Sequence, residues 1–231
     1  MTAGNEERLG ADRANEILHD FRILRSYKNR FGTTSEIGAF EMGEGGLAEL
    51  PNLSESFLEE ASHGAEGAVV TAIYEGTRPL LLEVQALVAQ SGVGFARRTA
   101  LGIDSGRLSM IVAVLEKKAK LYLLDKDIYI NVTGGIRPEG TSIDLAVALA
   151  IYSAAKGLPV RNDILAIGEI GLTGELRSVR QSQRIAREAA RMGFTQFLCP
   201  KRNAARLGEE KDLAVTGAGT VAEAIQLCFG R

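Results

Sequence analysis

Two sets of basic residues have the spacing to do chemistry. In Lys28-Asn29-Arg30-Phe31-Gly32 the two cations are two positions apart, so on an extended strand both project to the same side. Two cations on one face beside a glycine turn can meet a phosphate or a carboxylate; the plainer alternative is a solvated hairpin edge. Further on, Arg177, Arg180, Arg184, Arg187 and Arg191 recur at intervals of three, four, three and four. If the whole segment is helical they form one stripe, with Ile185, Ala189 and Met192 on the other side. A row of guanidiniums repels itself unless an anion or an acidic partner lies against it, and Glu188 can screen one or two. The chemistry implied is phosphate contact, salt-sensitive and independent of sequence. Arg97, Arg98, Lys117 and Lys118 would join it if the fold brings them near. Again the alternative is a helix face whose charges meet only water.

The elements that must position these residues can be read from the apolar pattern. Met1 to Arg13 is polar, without an apolar period, and reads as a frayed start or a piece cut from a larger protein. Phe21 to Lys28 and Ile37 to Met42 read as strands, with a turn at Asn29 to Thr34 tightest at Gly32, a hairpin-like unit. Gly43 to Ser54 is glycine-rich with one proline and marks a boundary, followed by a short helical turn with Ser54 as its N-cap. Ala68 to Tyr74 and Leu80 to Val88 read as strands, and Arg107 to Lys118 as an amphipathic helix. Ile128 to Val132 is a short strand ended by Gly134-Gly135. Ser142 to Lys156 is a buried alanine-rich helix stopped by Gly157 and Pro159. Ile164 to Glu169 reads as a strand, Gly171 to Gly174 as a turn, and Gln181 to Met192 as a helix closed by Gly193. Phe194 to Pro200 reads as a strand, Val215 lies in a final extended stretch, and Thr220 to Cys228 is a last helix. The fold class is α/β (or α+β).

Composition narrows the function. With 231 residues, 45% hydrophobic and 24% charged, the chain has room for one sizeable core or a core with an appendage. The net charge of −2 supplies no global basic field, so any nucleic-acid contact has to come from a local face. Cys199 and Cys228 make neither a zinc site nor a disulfide framework. His19 and His63 have no motif partners. No signal peptide and no long apolar run occurs, which points to the cytoplasm and away from a membrane.

The string Phe21 to Met42, FRILRSYKNRFGTTSEIGAFEM, resembles the KNRFG segment of the RadA/Sms family of bacterial DNA-repair proteins, where it closes a RecA-like core. The similarity continues through Glu75-Gly76-Thr77-Arg78-Pro79 and LLLEVQALV, Arg97-Arg98-Thr99, Leu115-Glu116-Lys117-Lys118, Asn131-Val132-Thr133-Gly134-Gly135 and Gly168 to Arg177. It covers residues 21–205 in one order. The resemblance implies that residues 1–52 are the end of a RecA-like ATPase core. It implies that residues 53–231 are a Lon-protease-like domain of the ribosomal-protein-S5-domain-2-like type. Lys28 and Arg30 would then stabilise ATP bound by a neighbouring subunit. ATP and magnesium would serve a full-length relative, with no cofactor held by this chain.

A Lon-type peptidase joins a serine nucleophile to a neutral lysine. Ser142, in Gly140-Thr141-Ser142-Ile143-Asp144, falls where that serine would be; its competing role is a helix N-cap. The lysine should follow Gly174-Glu175-Leu176, yet Arg177-Ser178-Val179-Arg180 stands there, and arginine stays protonated. The expectation is a protease shape without its reaction, Ser142 being a vestigial candidate. No phosphate loop of the G-x-x-x-x-G-K-[ST] type occurs in the sequence, and the four-cysteine zinc module of the family is absent. The chain is thus expected to be the ring-forming (hexameric by resemblance) and DNA-binding half of a DNA-dependent ATPase that migrates branches in recombination intermediates. It is read as a fragment or a truncated gene product. The alternatives are a Ser142 peptidase and a protein-interaction scaffold.

Overall fold

The structure, a computed structural model, describes residues 15–18, 21–25, 37–43, 46–50, 52–59, 61–62, 64–75, 78–92, 95–138, 140–208, 210 and 212–230. Lys28, Arg30 and the turn around Gly32 lie outside the described residues. The described residues cluster into two compact units, one within Met1–Pro51 and Glu75–Arg78, the other within Asn52–Tyr74 and Pro79–Arg231.

The first unit is an antiparallel meander of β1 (Asn15–Leu18), β2 (Phe21–Arg25), β3 (Ile37–Gly43) and β4 (Gly46–Glu49), in that order. β2 and β3 pair from Phe21 opposite Glu41 to Arg25 opposite Ile37, joining the two runs that the sequence marks as strands. β1 and β4 are four-residue additions on the outer edges of that pair, and nothing in their short mixed runs marks them as strands.

The second unit begins with α1 (Leu53–Glu59), then β5 (Ala68–Glu75), β6 (Arg78–Gln90), β7 (Arg98–Leu101), α2 (Ser105–Lys118) and β8 (Lys126–Val132). A 3-10 turn at Thr133–Gly135 leads to α3 (Asp144–Lys156), β9 (Ile164–Ala166), β10 (Glu169–Ile170) and β11 (Leu176–Arg177). The chain ends with α4 (Ser182–Arg191), β12 (Gln196–Pro200), α5 (Lys201–Ala204), β13 (Ala214–Ala218) and α6 (Val221–Phe229). Seven strands form one sheet in the order β13-β12-β9-β5-β6-β8-β7. The first four run parallel, β8 is antiparallel to β6, and β7 is parallel to β8. The architecture is mixed α/β with a mostly parallel central sheet.

The two halves of this sheet are covered differently. Ile185, Ala186 and Ala189 of α4 share one buried cluster with Ala72, Leu81, Leu165, Phe197 and Cys199. Ala166 and Leu198, next in their strands and facing the other way, are equally buried. The parallel half is therefore covered on both faces, as parallel sheets require. In the β6–β8–β7 half one face is open, with Leu87 62% and Leu101 64% exposed.

α3 is apolar all round, and Leu145 to Ile151 are fully buried, which is the pattern of a central helix. It packs against α2, α6 and β10 and stops at Gly157 in the left-handed conformation, φ 62°. α2 starts on Asp104, whose carboxylate accepts from the Arg107 backbone N–H at 2.8 Å. α6 starts on Thr220 with a reciprocal cap, the Glu223 N–H reaching Thr220 Oγ1 at 3.2 Å and Glu223 Oε2 accepting from the Gly219 N–H at 2.8 Å.

Ser54 does not cap α1. It lies inside the helix, 3% exposed, and its hydroxyl accepts from the Leu81 N–H at 3.1 Å, satisfying a buried strand donor. The single strand expected over Ile164 to Glu169 is broken after Ala166, because Gly168 leaves the sheet to bind the start of α3. Its N–H donates to the Ser142 carbonyl at 2.8 Å and its carbonyl accepts from the Leu145 N–H at 3.0 Å. Both cysteines are free, Cys199 buried and Cys228 half-buried. Burial pushes each thiol up to about 12, so neither is a ready nucleophile.

Candidate functional site

A cleft of about 390 Å³ opens in the second unit, lined by Tyr74, Gly140, Thr141, Ser142, Glu169, Ser178, Val179, Arg180 and Ile185. One wall is the loop into α3, another the end of β5, and the third the segment between β11 and α4. The structure thus brings Ser142 and Ser178-Val179-Arg180 to one place from positions far apart in sequence.

Ser142 is not the N-cap of α3. The cap position is Ile143, without a side-chain hydrogen bond, and Asp144 N–H donates to the Thr141 carbonyl at 3.3 Å. With its carbonyl held by Gly168, Ser142 turns its hydroxyl toward the Ala72 carbonyl at 3.5 Å, a long contact that leaves most of the hydroxyl's capacity unused. Ammonium groups are missing from the described cleft lining, and the cation there is Arg180.

Next to Ser142 lies a buried ion pair. Asp144 is 1% exposed and takes a two-point grip from Arg107, whose Nε donates to Oδ1 at 3.1 Å while Nη2 reaches Oδ2. Arg107 Nη2 also donates to the Ile170 carbonyl at 2.8 Å, and the Ile170 N–H donates to Asp144 Oδ2 at 3.0 Å. Burial raises the Asp144 carboxyl above its ordinary range, while Arg107 and the Ile170 N–H pull it back. The pair ties α2, α3 and β10 together and fixes the loop that carries Ser142. Sequence reasoning passed over it, although an acid inside an alanine-rich buried helix demands a cation.

The rim is a chain of carboxylates and their donors. Thr141 Oγ1 donates to Glu169 Oε2 at 2.6 Å, and Arg177 pairs with Glu169 at 3.4 Å and with Glu175 at 2.7 Å. Glu175 is pulled down to about 2, first by the hydroxyl of Thr173, then by its own backbone and Arg177. The turn between them needs Gly174 at φ +88°, where a Cβ would also meet Lys118 Cγ at 2.9 Å.

The five-arginine stripe does not form. Arg177 is in β11, Arg180 in a turn, and α4 starts only at Ser182, after Gln181 in the left-handed conformation at φ 59°. The reason is Asn203, 2% exposed. Its Oδ1 accepts from the Val179 N–H at 2.9 Å, while its Nδ2 donates to the Val179 carbonyl and to Ser182 Oγ, both at 2.8 Å. An amide that binds both backbone groups of Val179 holds it extended and forbids a helical turn there. Arg184, Arg187 and Arg191 remain on α4. Arg184 Nη1 donates to the Tyr74 hydroxyl at 2.8 Å; Arg187 pairs with Glu210 at 3.7 Å and Arg191 with Glu188 at 2.6 Å. Arg180 has no hydrogen-bond or ion-pair partner among the described residues.

Arg97 and Arg98 are not brought near α4. β7 is four strand steps from β9, against which α4 packs, or roughly 19 Å at about 4.8 Å per step. Arg98 is occupied locally, its guanidinium donating to the Arg97 carbonyl at 3.0 Å, the Leu123 carbonyl at 2.9 Å and the Lys126 carbonyl. Among the described residues no group of His, Cys, Asp and Glu could hold a metal ion. No helix there is long and apolar enough to cross a membrane.

The chain is similar to the DNA repair protein RadA of Streptococcus pneumoniae, 46% identical over 214 residues, which is 93% of this chain and 51% of that protein. RadA of Listeria monocytogenes is 46% identical over 211 residues, 91% of this chain and 46% of that protein. RadA of Bacillus subtilis is 45% identical over 215 residues, 93% and 47%. The chain corresponds to the C-terminal half of the RadA proteins. It spans about half the length of these relatives. A family model described as subunit ChlI of Mg-chelatase also matches residues 105–203, a stretch that holds every residue of the cleft except Tyr74. The RadA similarity extends well beyond that stretch, so the cleft and most of its surroundings lie in what this chain shares with RadA.

Proposed function

We propose that this chain is the oligomerisation and DNA-binding half of a RadA-type DNA repair and recombination protein. The observation that carries the reading is 46% identity to a DNA repair protein over 93% of the chain, too long and too high to arise from a shared fold alone. In this reading residues 1–52 close a RecA-like ATPase core, and Lys28 and Arg30 stabilise nucleotide at a subunit boundary, with ATP and magnesium bound by the longer protein. Residues 53–231 are a Lon-protease-like domain that assembles side by side into a ring, a hexamer, and works in the cytoplasm on single-stranded or branched DNA during branch migration. Peptide cleavage is not part of it, because a guanidinium cannot act as the base that a serine nucleophile needs.

DNA phosphates would meet the exposed guanidiniums of α4. Arg187 and Arg191 are 64% and 57% exposed in their side chains, and ion pairs this open contribute so little that a phosphate can displace the carboxylate. Fluorescence anisotropy with single-stranded and branched DNA tests this, comparing the native chain with Arg184→Glu/Arg187→Glu/Arg191→Glu at low and moderate salt. The variant should bind more weakly, with a salt slope smaller by about one for each phosphate no longer engaged. Unchanged affinity and slope would remove α4 from the DNA surface. No binding by the native chain would favour an interaction scaffold. Elution as a monomer at micromolar concentration would remove the ring.

A further inference from the structure

The cleft beside Ser142 has a chemistry that neither DNA repair nor the lost peptidase reaction accounts for. Its polar side presents the hydroxyls of Thr141, Ser142, Ser178 and Tyr74 together with Arg180. Ser142 has one long contact at 3.5 Å, and Arg180 meets no carboxylate or carbonyl among the described residues. Glu169, the acid in the lining, is already engaged by Thr141 at 2.6 Å and Arg177 at 3.4 Å. Among the described lining residues Arg180 is therefore the one cation, and it is unpaired and exposed, while Glu169 shares Arg177 with Glu175. Its other side is apolar, formed by Val179, the Tyr74 ring and Ile185, which is 1% exposed. A volume of about 390 Å³ falls within the roughly 300–1,000 Å³ of small-molecule sites.

We infer that this cleft binds a singly charged oxyanion on a small apolar body, the anion on Arg180 and the hydroxyls of Ser142 and Ser178, the body against Val179 and Ile185. A carboxylate and a phosphodiester share this chemistry; a phosphate dianion is less suited, because one free cation faces it and Glu169 stands at the rim. Arg180 can hold two oxygens at once in its planar fork, while the Ser142 hydroxyl, which has no base to deprotonate it, serves as a donor. The site is one of binding, with no covalent step. It does not rest on the DNA-repair reading and would stand if that reading failed.

The test is methyl NMR on the full chain with labelled isoleucine and valine, titrated with N-acetyl-leucine, with its neutral amide, and with dithymidine monophosphate. Ile185 and Val179 methyl resonances should move with one or both of the anions, and the amide should bind more weakly by about tenfold or more, as expected without one charged hydrogen bond. Arg180→Gln should abolish the shifts and Ser142→Ala weaken them, while Arg161→Gln, an exposed arginine outside the cleft and off α4, should leave them intact. Response to the carboxylate alone would name a carboxylic acid as the ligand class, and response to the dinucleotide alone a nucleic-acid phosphate. Equal binding of acid and amide, shifts that persist in Arg180→Gln, or no shift with any probe would each overturn the inference.

Discussion

Asp144 shows how much one buried charge can determine. Its carboxylate is out of water at the start of α3 and is held by Arg107 and the Ile170 N–H. Removing the acid by Asp144→Ala leaves Arg107 without its anion, and loss of one partner of such a pair costs about 3–5 kcal/mol, to be read from the midpoint of urea unfolding. At the rim Glu175 behaves oppositely with pH. Its folded pKa is held at about 2 against an ordinary 4.5. Its stabilisation is therefore complete above about 4.5 and is lost as pH falls toward 2. Thermal melts of Glu175→Gln should lose less of their midpoint than the native chain between pH 4.5 and 2. Asp144 runs the other way: its folded pKa is raised above 3.8, so its contribution is full below that value and declines as pH rises through the raised one. At Ser142 a fluorophosphonate probe should label neither the native chain nor Ser142→Ala; labelling that disappears in the variant would restore the hydrolase.

At the scale of elements, the long periodic segments were legible and the short ones were not. α2, α3, α4 and α6 announce themselves through apolar spacing and flanking glycines, and β5, β6, β8 and β12 through runs of β-branched and apolar residues. β7 and β11 are too short, at four and two residues, for any period to show, and they exist because a neighbouring strand offers its edge. The segment 177–180 misled because a three-four spacing of arginines is also what a strand followed by a turn can carry by accident. What decides it is Asn203, more than twenty positions away, whose role no local pattern reveals. The converging of Gly140–Ser142 with 178–180 was legible only through the family resemblance, since the two segments meet through the path of the chain. Asn203→Ala should cost about 1–3 kcal/mol by leaving the Val179 N–H and carbonyl unpaired, and hydrogen exchange at Val179 should quicken. An Asn203 variant that keeps native stability and slow exchange there would assign the extended path to something else.

For the molecule as a whole, the sheet has two characters. Its parallel half is sealed on both faces and contains the cluster around Phe197 and Leu165; its β6–β8–β7 half is covered on one face only. A shortened chain beginning at Asn52 keeps that core and should unfold in a single cooperative urea transition. A broad, non-cooperative loss of structure would show that the second unit depends on residues 1–51. The RadA similarity covers 93% of the chain and so takes in both units.

The two walls of the cleft are fastened very differently. The side that carries Ser142 is riveted by a charged clasp shared among three elements, whereas the side that carries Arg180 is held by the Asn203 carboxamide between backbone bonds from Leu176 to Gly219 and from Ile185 to Gln181. A guest bound as proposed would thus have one jaw set by a buried ion pair and the other by an uncharged amide, and charge-neutralising conditions would loosen only the first.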